Sequence, residues 1–303
     1  MKLSVCSGGY TRFFIHDTSE ALRYFANLGY QAIDLSIDSS YDGLLDDPDG
    51  SHAKTVKNVA KECNLLLYQA HAPASADPTD QKLVKNLEKT IEVCGYLEIE
   101  NLVIHPFPTD DISQAIPLNA EYFSQFTPLL DKTGVKLCAE NLGNYNDVRH
   151  HFKTAEMLNG LVDKVGKKYM KVCWDTGHGN LTNKDQYENV TKIGSNLGCV
   201  HIHDNYYPIF VPGEQYAFDA HNFPLFGNIN FDAFIQALID INYKGTFNLE
   251  TDTPNRRGHR DFVYNGEVTL KLKPIPFEIR KKSDEMLFYI GKYMLETYGL
   301  WED

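Results

Sequence analysis

Short apolar runs alternate with amphipathic stretches along the whole chain. The runs at 3–6, 31–37, 65–71, 101–105, 135–140, 170–175, 199–203 and 246–251 are rich in β-branched, leucine and aromatic residues and too short for helices, so they read as buried strands. Between them, apolar side chains recur at helical spacing. Leu22, Phe25 and Ala26 mark a helix over 19–28, which Gly29 closes as a left-handed cap would. Leu83, Val84, Leu87, Ile91, Val93 and Cys94 mark another over 81–97. Further helices are expected at 53–63, 120–132, 153–165, 187–197 and 231–242, with a closing helix at 283–298. Segment 261–282 reads as an inserted hairpin or loop turning at Asn265-Gly266. Strands separated by helices call for a parallel sheet, and eight strands is the number that closes a (β/α)8 barrel. The expectation is therefore an α/β fold, one TIM-barrel domain over 1–303. An open doubly wound sheet is the alternative, but it would not bring ligand-type residues at so many strand ends to one point.

Four of these runs stop on residues that bind cations: Val135-Lys136-Leu137-Cys138-Ala139-Glu140, Met170-Lys171-Val172-Cys173-Trp174-Asp175, Gly198-Cys199-Val200-His201 and Thr246-Phe247-Asn248-Leu249-Glu250. The C-terminal ends of parallel strands share one face. Two glutamates, an aspartate and a histidine gathered there suit a divalent cation of borderline hardness. More groups of the same kind fall at strand ends or just beyond: His71, His105, His178, His203, Asp219 and His221. A single strand-end histidine is more often a hydrogen-bonded core or rim residue; the weight lies in their convergence. Cys138, Cys173 and Cys199 each precede a proposed ligand by two positions, so they share its face and should fill the barrel one layer below. Trp174, of opposite parity, should face the helices.

Composition narrows the classes. A chain of 303 residues with 43% hydrophobic content can bury a large core, and a net charge of −12 with pI near 5.4 argues against a broad nucleic-acid surface. No apolar run approaches the roughly 18 residues of a membrane span, no secretory leader is evident, and the six cysteines form no CxxC pair. A cytoplasmic protein with reduced thiols is expected, with no membrane partner.

The pieces Glu140-Asn141, Asp175-Thr176-Gly177-His178, His201-Ile202-His203-Asp204 and His221 followed by Phe226-Gly227-Asn228-Ile229 resemble the xylose isomerase-like TIM-barrel superfamily. That group includes sugar-phosphate isomerases, ketose 3-epimerases, inosose dehydratases and the endonuclease IV type of abasic-site nuclease. The resemblance implies a shared metal site of Glu140, Asp175, His201 and Glu250. His201 is preferred over His203, which has the same parity, because Asp204 follows it at the family's spacing. The implied cofactor is Zn²⁺ or Mn²⁺, with Mg²⁺ or Co²⁺ as alternatives, one per chain and up to three.

In the sugar branch, Glu140 and Glu250 would move a proton beside the substrate carbonyl through a metal-stabilised enediolate, and His178 would position a substrate oxygen. Asp34 on the second strand would meet substrate by analogy. Arg256, within Arg256-Arg257-Gly258-His259-Arg260, would grip the phosphate of a phosphorylated sugar, unless that cluster is only solvated loop. The alternative is an endonuclease IV-like zinc phosphodiesterase, whose three-metal set has a counterpart here at His71, His105, Glu140, Asp175, His178, His201, Asp219, His221 and Glu250. Against it, the loops lack a basic run interleaved with aromatics. The expected partner is a small sugar or sugar phosphate rather than nucleic acid; self-association is expected only by analogy.

Overall fold

The computed structural model of the chain describes residues 1–11, 14, 16–37, 43–47, 49–73, 77–143, 150–182, 185–206, 209–211, 214–216, 219–251, 262–264, 267–270 and 275–303, with 209–211, 214–216, 262–264 and 267–270 described by backbone alone. Arg256 and the turn Asn265-Gly266 lie outside these residues.

Eight parallel strands form one sheet: β1 (Leu3–Cys6), β2 (Ala32–Ser36), β3 (Leu66–His71), β4 (Asn101–Ile104), β5 (Lys136–Glu140), β6 (Met170–Asp175), β7 (Leu197–His201) and, after a short antiparallel hairpin of β8 (Ile209–Val211) and β9 (Glu214–Tyr216), β10 (Phe247–Leu249). The order β10-β1-β2-β3-β4-β5-β6-β7 brings the ends of the sheet together. Ile202 bridges Leu249, donating to Asn248 O at 2.9 Å and accepting from Glu250 N at 3.0 Å, so the barrel is nearly closed at the end that carries the ligand-type residues.

The helices follow the local signals. Helix α1 (Gly8–Thr11) is a single turn after β1. Helix α2 (Thr18–Leu28) starts where Asp17 accepts from Ser19 N and Glu20 N and ends on Gly29 at φ 102°, a conformation that favours glycine. Next come α3 (Ser51–Glu62) and α4 (Gln81–Leu97). The helix expected at 120–132 is instead two, α5 (Ile112–Ser124) and α6 (Thr127–Thr133). Pro128 stands in the first turn of α6, where its missing N–H leaves no bond unmade, and it disfavours continuing the helix before it. The remaining helices are α7 (Ala155–Val165), α8 (Thr176–Leu181), α9 (Gln186–Ile193), α10 (Phe231–Asp240) and α11 (Phe277–Thr297), the last starting six residues before the expected 283. Strands β11 (Phe262–Tyr264) and β12 (Glu267–Leu270) pair antiparallel within the segment 261–282.

Burial separates two apolar regions. The larger lies between sheet and helices and holds Phe25, Phe123, Phe234 and Trp174. Trp174 faces the helices and donates to Gln186 Oε1 at 2.8 Å. The smaller lies inside the barrel: Val103, Cys138, Cys173 and Cys199, with Tyr68 against them. All six cysteines are free, and burial pushes the Cys138 and Cys199 thiols well up, so they act as small hydrophobes under the site. Among the described residues, no helix is long and apolar enough to cross a membrane.

Candidate metal centre

Strand register builds the site. Asp175 and His201 are direct partners across β6 and β7, Glu140 ends β5 beside Cys173, and Glu250 follows β10. Glu140, Asp175 and His201 are buried, and Glu250 is partly open to the mouth. One ligand atom from each of the four lies within 4.8 Å of the others. His201 Nδ1 stands 3.2 Å from Glu140 Oε1 and 3.1 Å from Glu250 Oε2.

Glu140 faces two ways. While Oε1 meets His201, Oε2 lies 3.0 Å from His105 Nε2 and 3.4 Å from His71 Nε2, giving a second group of His71, His105 and Glu140. A third group, His178, His203, Asp219 and His221, sits on the other side. There Asp219 Oδ2 is 2.8 Å from His221 Nε2 and 3.6 Å from His178 Nε2, and the rings of His203 and His221 stack at 3.9 Å. His221 adopts φ 45°, an unusual conformation that turns its ring toward Asp219.

Backbone locks hold the ends of β5, β6 and β7 together. The Asn141 side chain accepts from Asp175 N at 2.6 Å and donates to Asp175 O at 2.9 Å. Helix α8 begins at Asp175, whose Oδ1 accepts from His178 N at 2.6 Å, so one residue is both N-cap and candidate ligand. His178 Nδ1 lies 2.9 Å from Asn141 O, which leaves Nε2 facing Asp219. Thr176 Oγ1 donates to His203 O and accepts from His203 N. Gly177 is required here, since a Cβ would stand 1.9 Å from His203 Cε1. Asp204 accepts from Asn205 N, Gly227 N and Ile229 N and thereby shapes the loop containing Phe226-Gly227-Asn228-Ile229.

The charges of the cluster are strongly coupled. Burial alone would raise the Glu140 carboxyl, but His201 and His105 outweigh it and hold it well below the carboxylate range. Glu250 is likewise lowered against its burial, chiefly by His201. Burial would lower His71, yet Glu140 raises it above the ordinary histidine value. Among the described residues, Asp175 Oδ2 is buried with no hydrogen-bond partner. The donor set and that orphaned oxygen fit a divalent metal ion.

Each residue flagged in the sequence has a definite place. Glu140, Asp175, His201 and Glu250 form one group, and His71, His105, His178, His203, Asp219 and His221 fall in the two flanking ones. His203 joins the third group; its Nε2 is also 3.0 Å from Asp175 Oδ2. Asp34 lies fully buried beneath His201, among protein partners rather than at the opening. Sequence reasoning missed Gln69 and Asn248, which donate to Asp34 Oδ2 at 3.1 and 2.9 Å. The signal was available: each stands two positions before a strand-end residue, His71 or Glu250, as the three cysteines do.

Three comparisons place the chain among known proteins. The model of the xylose isomerase-like TIM-barrel family matches residues 22–268. An uncharacterized protein of Methanocaldococcus jannaschii is 27% identical over 205 residues, 65% of this chain; the chain spans 64% of that relative's length. Among solved structures, D-psicose 3-epimerase in the presence of D-fructose superposes with a TM-score of 0.71 at 18% identity, covering 97% of this chain and 99% of that one. The IolI protein with a bound zinc atom gives a TM-score of 0.70 at 16% identity, covering 97% and 96%.

Proposed function

The chain belongs to the xylose isomerase-like TIM-barrel family, and from that premise we propose that it is a divalent-metal-dependent isomerase or epimerase of a small sugar, sugar phosphate or inosose. The observation that carries this reading is the convergence of Glu140, Asp175, His201 and Glu250, ligand atoms within 4.8 Å, at the mouth of the barrel. The likeness to D-psicose 3-epimerase and to zinc-bound IolI supports it. When bound, a Zn²⁺ or Mn²⁺ ion would stabilise the negative charge of an enediolate formed from the substrate.

The chain's own groups handle the proton. Glu140 and Glu250 are both held ionised, so each is a base at rest and becomes an acid only after taking the proton from the carbon beside the carbonyl. Glu250, the more open of the two, reaches substrate from the mouth. His178, anchored at Nδ1 on Asn141 O, turns Nε2 toward the site and would orient a substrate oxygen. Free thiols throughout are in keeping with a cytoplasmic location.

A second reading has its own support. The groups His71–His105–Glu140 and His178–His203–Asp219–His221 would suit two further cations, the arrangement expected of a phosphodiesterase of the endonuclease IV type. One experiment separates the two. Metal-loaded protein is incubated in D₂O with a panel of ketoses, their phosphates and inososes, and separately with a duplex carrying an abasic site. Deuterium uptake beside the carbonyl is expected. Strand cleavage without any deuterium uptake would replace the first reading by the second.

A further inference from the structure

We propose that Asp34 is a positioning residue for the metal centre, keeping His201 in the tautomer that carries its proton on Nε2 and offers the Nδ1 lone pair between Glu140 and Glu250. The inference rests on the metal reading of Glu140, Asp175, His201 and Glu250. It begins with burial: Asp34 and His201 are both fully enclosed, so bulk water reaches neither the ring nitrogens nor the carboxylate. Asp34 sits on β2, in register with Gln69 of β3. Its Oδ2 accepts from Gln69 Nε2 at 3.1 Å and Asn248 Nδ2 at 2.9 Å, and lies 3.1 Å from His201 Nε2.

As the ring stands, Nδ1 is hydrogen-bonded to Glu140 Oε1 at 3.2 Å; once a cation takes that nitrogen, one assignment of the ring proton remains. A buried carboxylate needs donors around it, and two amide groups already point theirs at Oδ2. Among the described residues, Asp34 is the carboxylate facing Nε2, whereas Nδ1 faces Glu140 and Glu250. Nε2 makes no aligned hydrogen bond as the ring now stands, and Oδ2 is the acceptor within reach. With the proton on Nε2, the free lone pair of Nδ1 points at the carboxylates that share the cation. The reverse tautomer would set a lone pair against Asp34 and an N–H against the metal.

Outer carboxylates of this kind fix the orientation and tautomer of a ligand histidine, and their loss typically lowers metal affinity by about 10- to 100-fold. The amide donors Gln69 and Asn248 hold Asp34 so that it cannot turn away, which makes them part of the same device.

Zinc is the probe. Wild-type protein, Asp34→Ala and Asp34→Asn are compared by competition with a chromophoric chelator, with circular dichroism to establish folding. Long-range ¹H–¹⁵N spectra of histidine-labelled, zinc-loaded wild-type protein report the His201 tautomer, assigned by the signal lost in His201→Gln. The expected result is an Nε2–H tautomer, a drop in zinc affinity of about 10- to 100-fold in Asp34→Ala, and a smaller drop in Asp34→Asn, which keeps an acceptor oxygen. Should the alanine variant fail to fold, the asparagine variant and the wild-type spectrum decide. Zinc affinity within twofold of wild type in both folded variants, or an Nδ1–H tautomer in zinc-loaded wild type, overturns the inference alone. Wild-type protein that takes up no zinc overturns the metal reading and this inference with it.

Discussion

Asp175 has two separable duties, and two substitutions part them. Its Oδ1 caps α8 by accepting from His178 N at 2.6 Å, while Oδ2 is buried without a hydrogen-bond partner among the described residues. Asp175→Asn keeps a cap oxygen but deletes the charge; Asp175→Ala deletes both. An N-cap is worth about 1 kcal/mol, which in a chain of this size is about 2 °C of Tm. Metal at a hundred times Kd stabilises the folded state by about 2.7 kcal/mol, or about 5 °C. Removing a ligand should weaken affinity by at least the hundredfold that bounds outer-sphere effects, leaving about 0.4 kcal/mol at the same metal concentration, under about 1 °C. Differential scanning calorimetry with and without zinc reads all of this. Metal-free Asp175→Asn should melt no lower than wild type, because one of three crowded carboxylates has been neutralised, and its zinc response should nearly vanish. Asp175→Ala should lose the zinc response and about 2 °C as well. A zinc shift in Asp175→Asn as large as that of wild type would refute the reasoning.

Glu250→Gln should reduce deuterium exchange by roughly 10²- to 10⁴-fold with little change in metal-free Tm, and retained exchange would remove Glu250 from the proton path. Gly177→Ala places a Cβ 1.9 Å from His203 Cε1 and should lower stability by about 1–3 kcal/mol; an unchanged Tm would mean that the ring does not pass there. Metal should oppose the metal-free pH response. His71 is raised in the fold, so its contribution is complete below about pH 6.5 and fades as pH rises through its folded value. Glu140 and Glu250 are lowered, so theirs is present above about pH 4.3 and fades as pH falls through their folded values. Metal-free Tm should therefore decline from pH 6 to 8, whereas the increment from zinc should grow as the histidines release protons. A zinc increment that shrinks over that range would contradict this account.

The barrel was legible because strand and helix periods differ and because its parallel strands are buried on both faces. Helix 81–97 was read with the bounds it has, since its apolar stripe is long and regular. The two helices at Ile112–Ser124 and Thr127–Thr133 were read as one because the apolar pattern runs on through the Pro128 break. Helix α8 was missed because six residues are too few to show a period, although Asp175 followed by His178 is a capping arrangement in the sequence itself. Strand parity took the thiols into the barrel and Trp174 out to the helices, but could not separate His201 from His203, which share a face. Their distinct places depend on the course of the chain after β7, where Ile202 turns to bridge Leu249. Asp34 was expected at the substrate by analogy; only the structure shows it held by Gln69 and Asn248 with its Oδ2 3.1 Å from His201 Nε2.

The central claim is that one divalent ion lies among Glu140, Asp175, His201 and Glu250. An element-resolved anomalous difference map of crystals grown with zinc tests it most directly. A peak bonded to all four side chains is predicted. Peaks confined to the His71–His105 or His178–Asp219–His221 groups, or no peak within the barrel mouth, would contradict it.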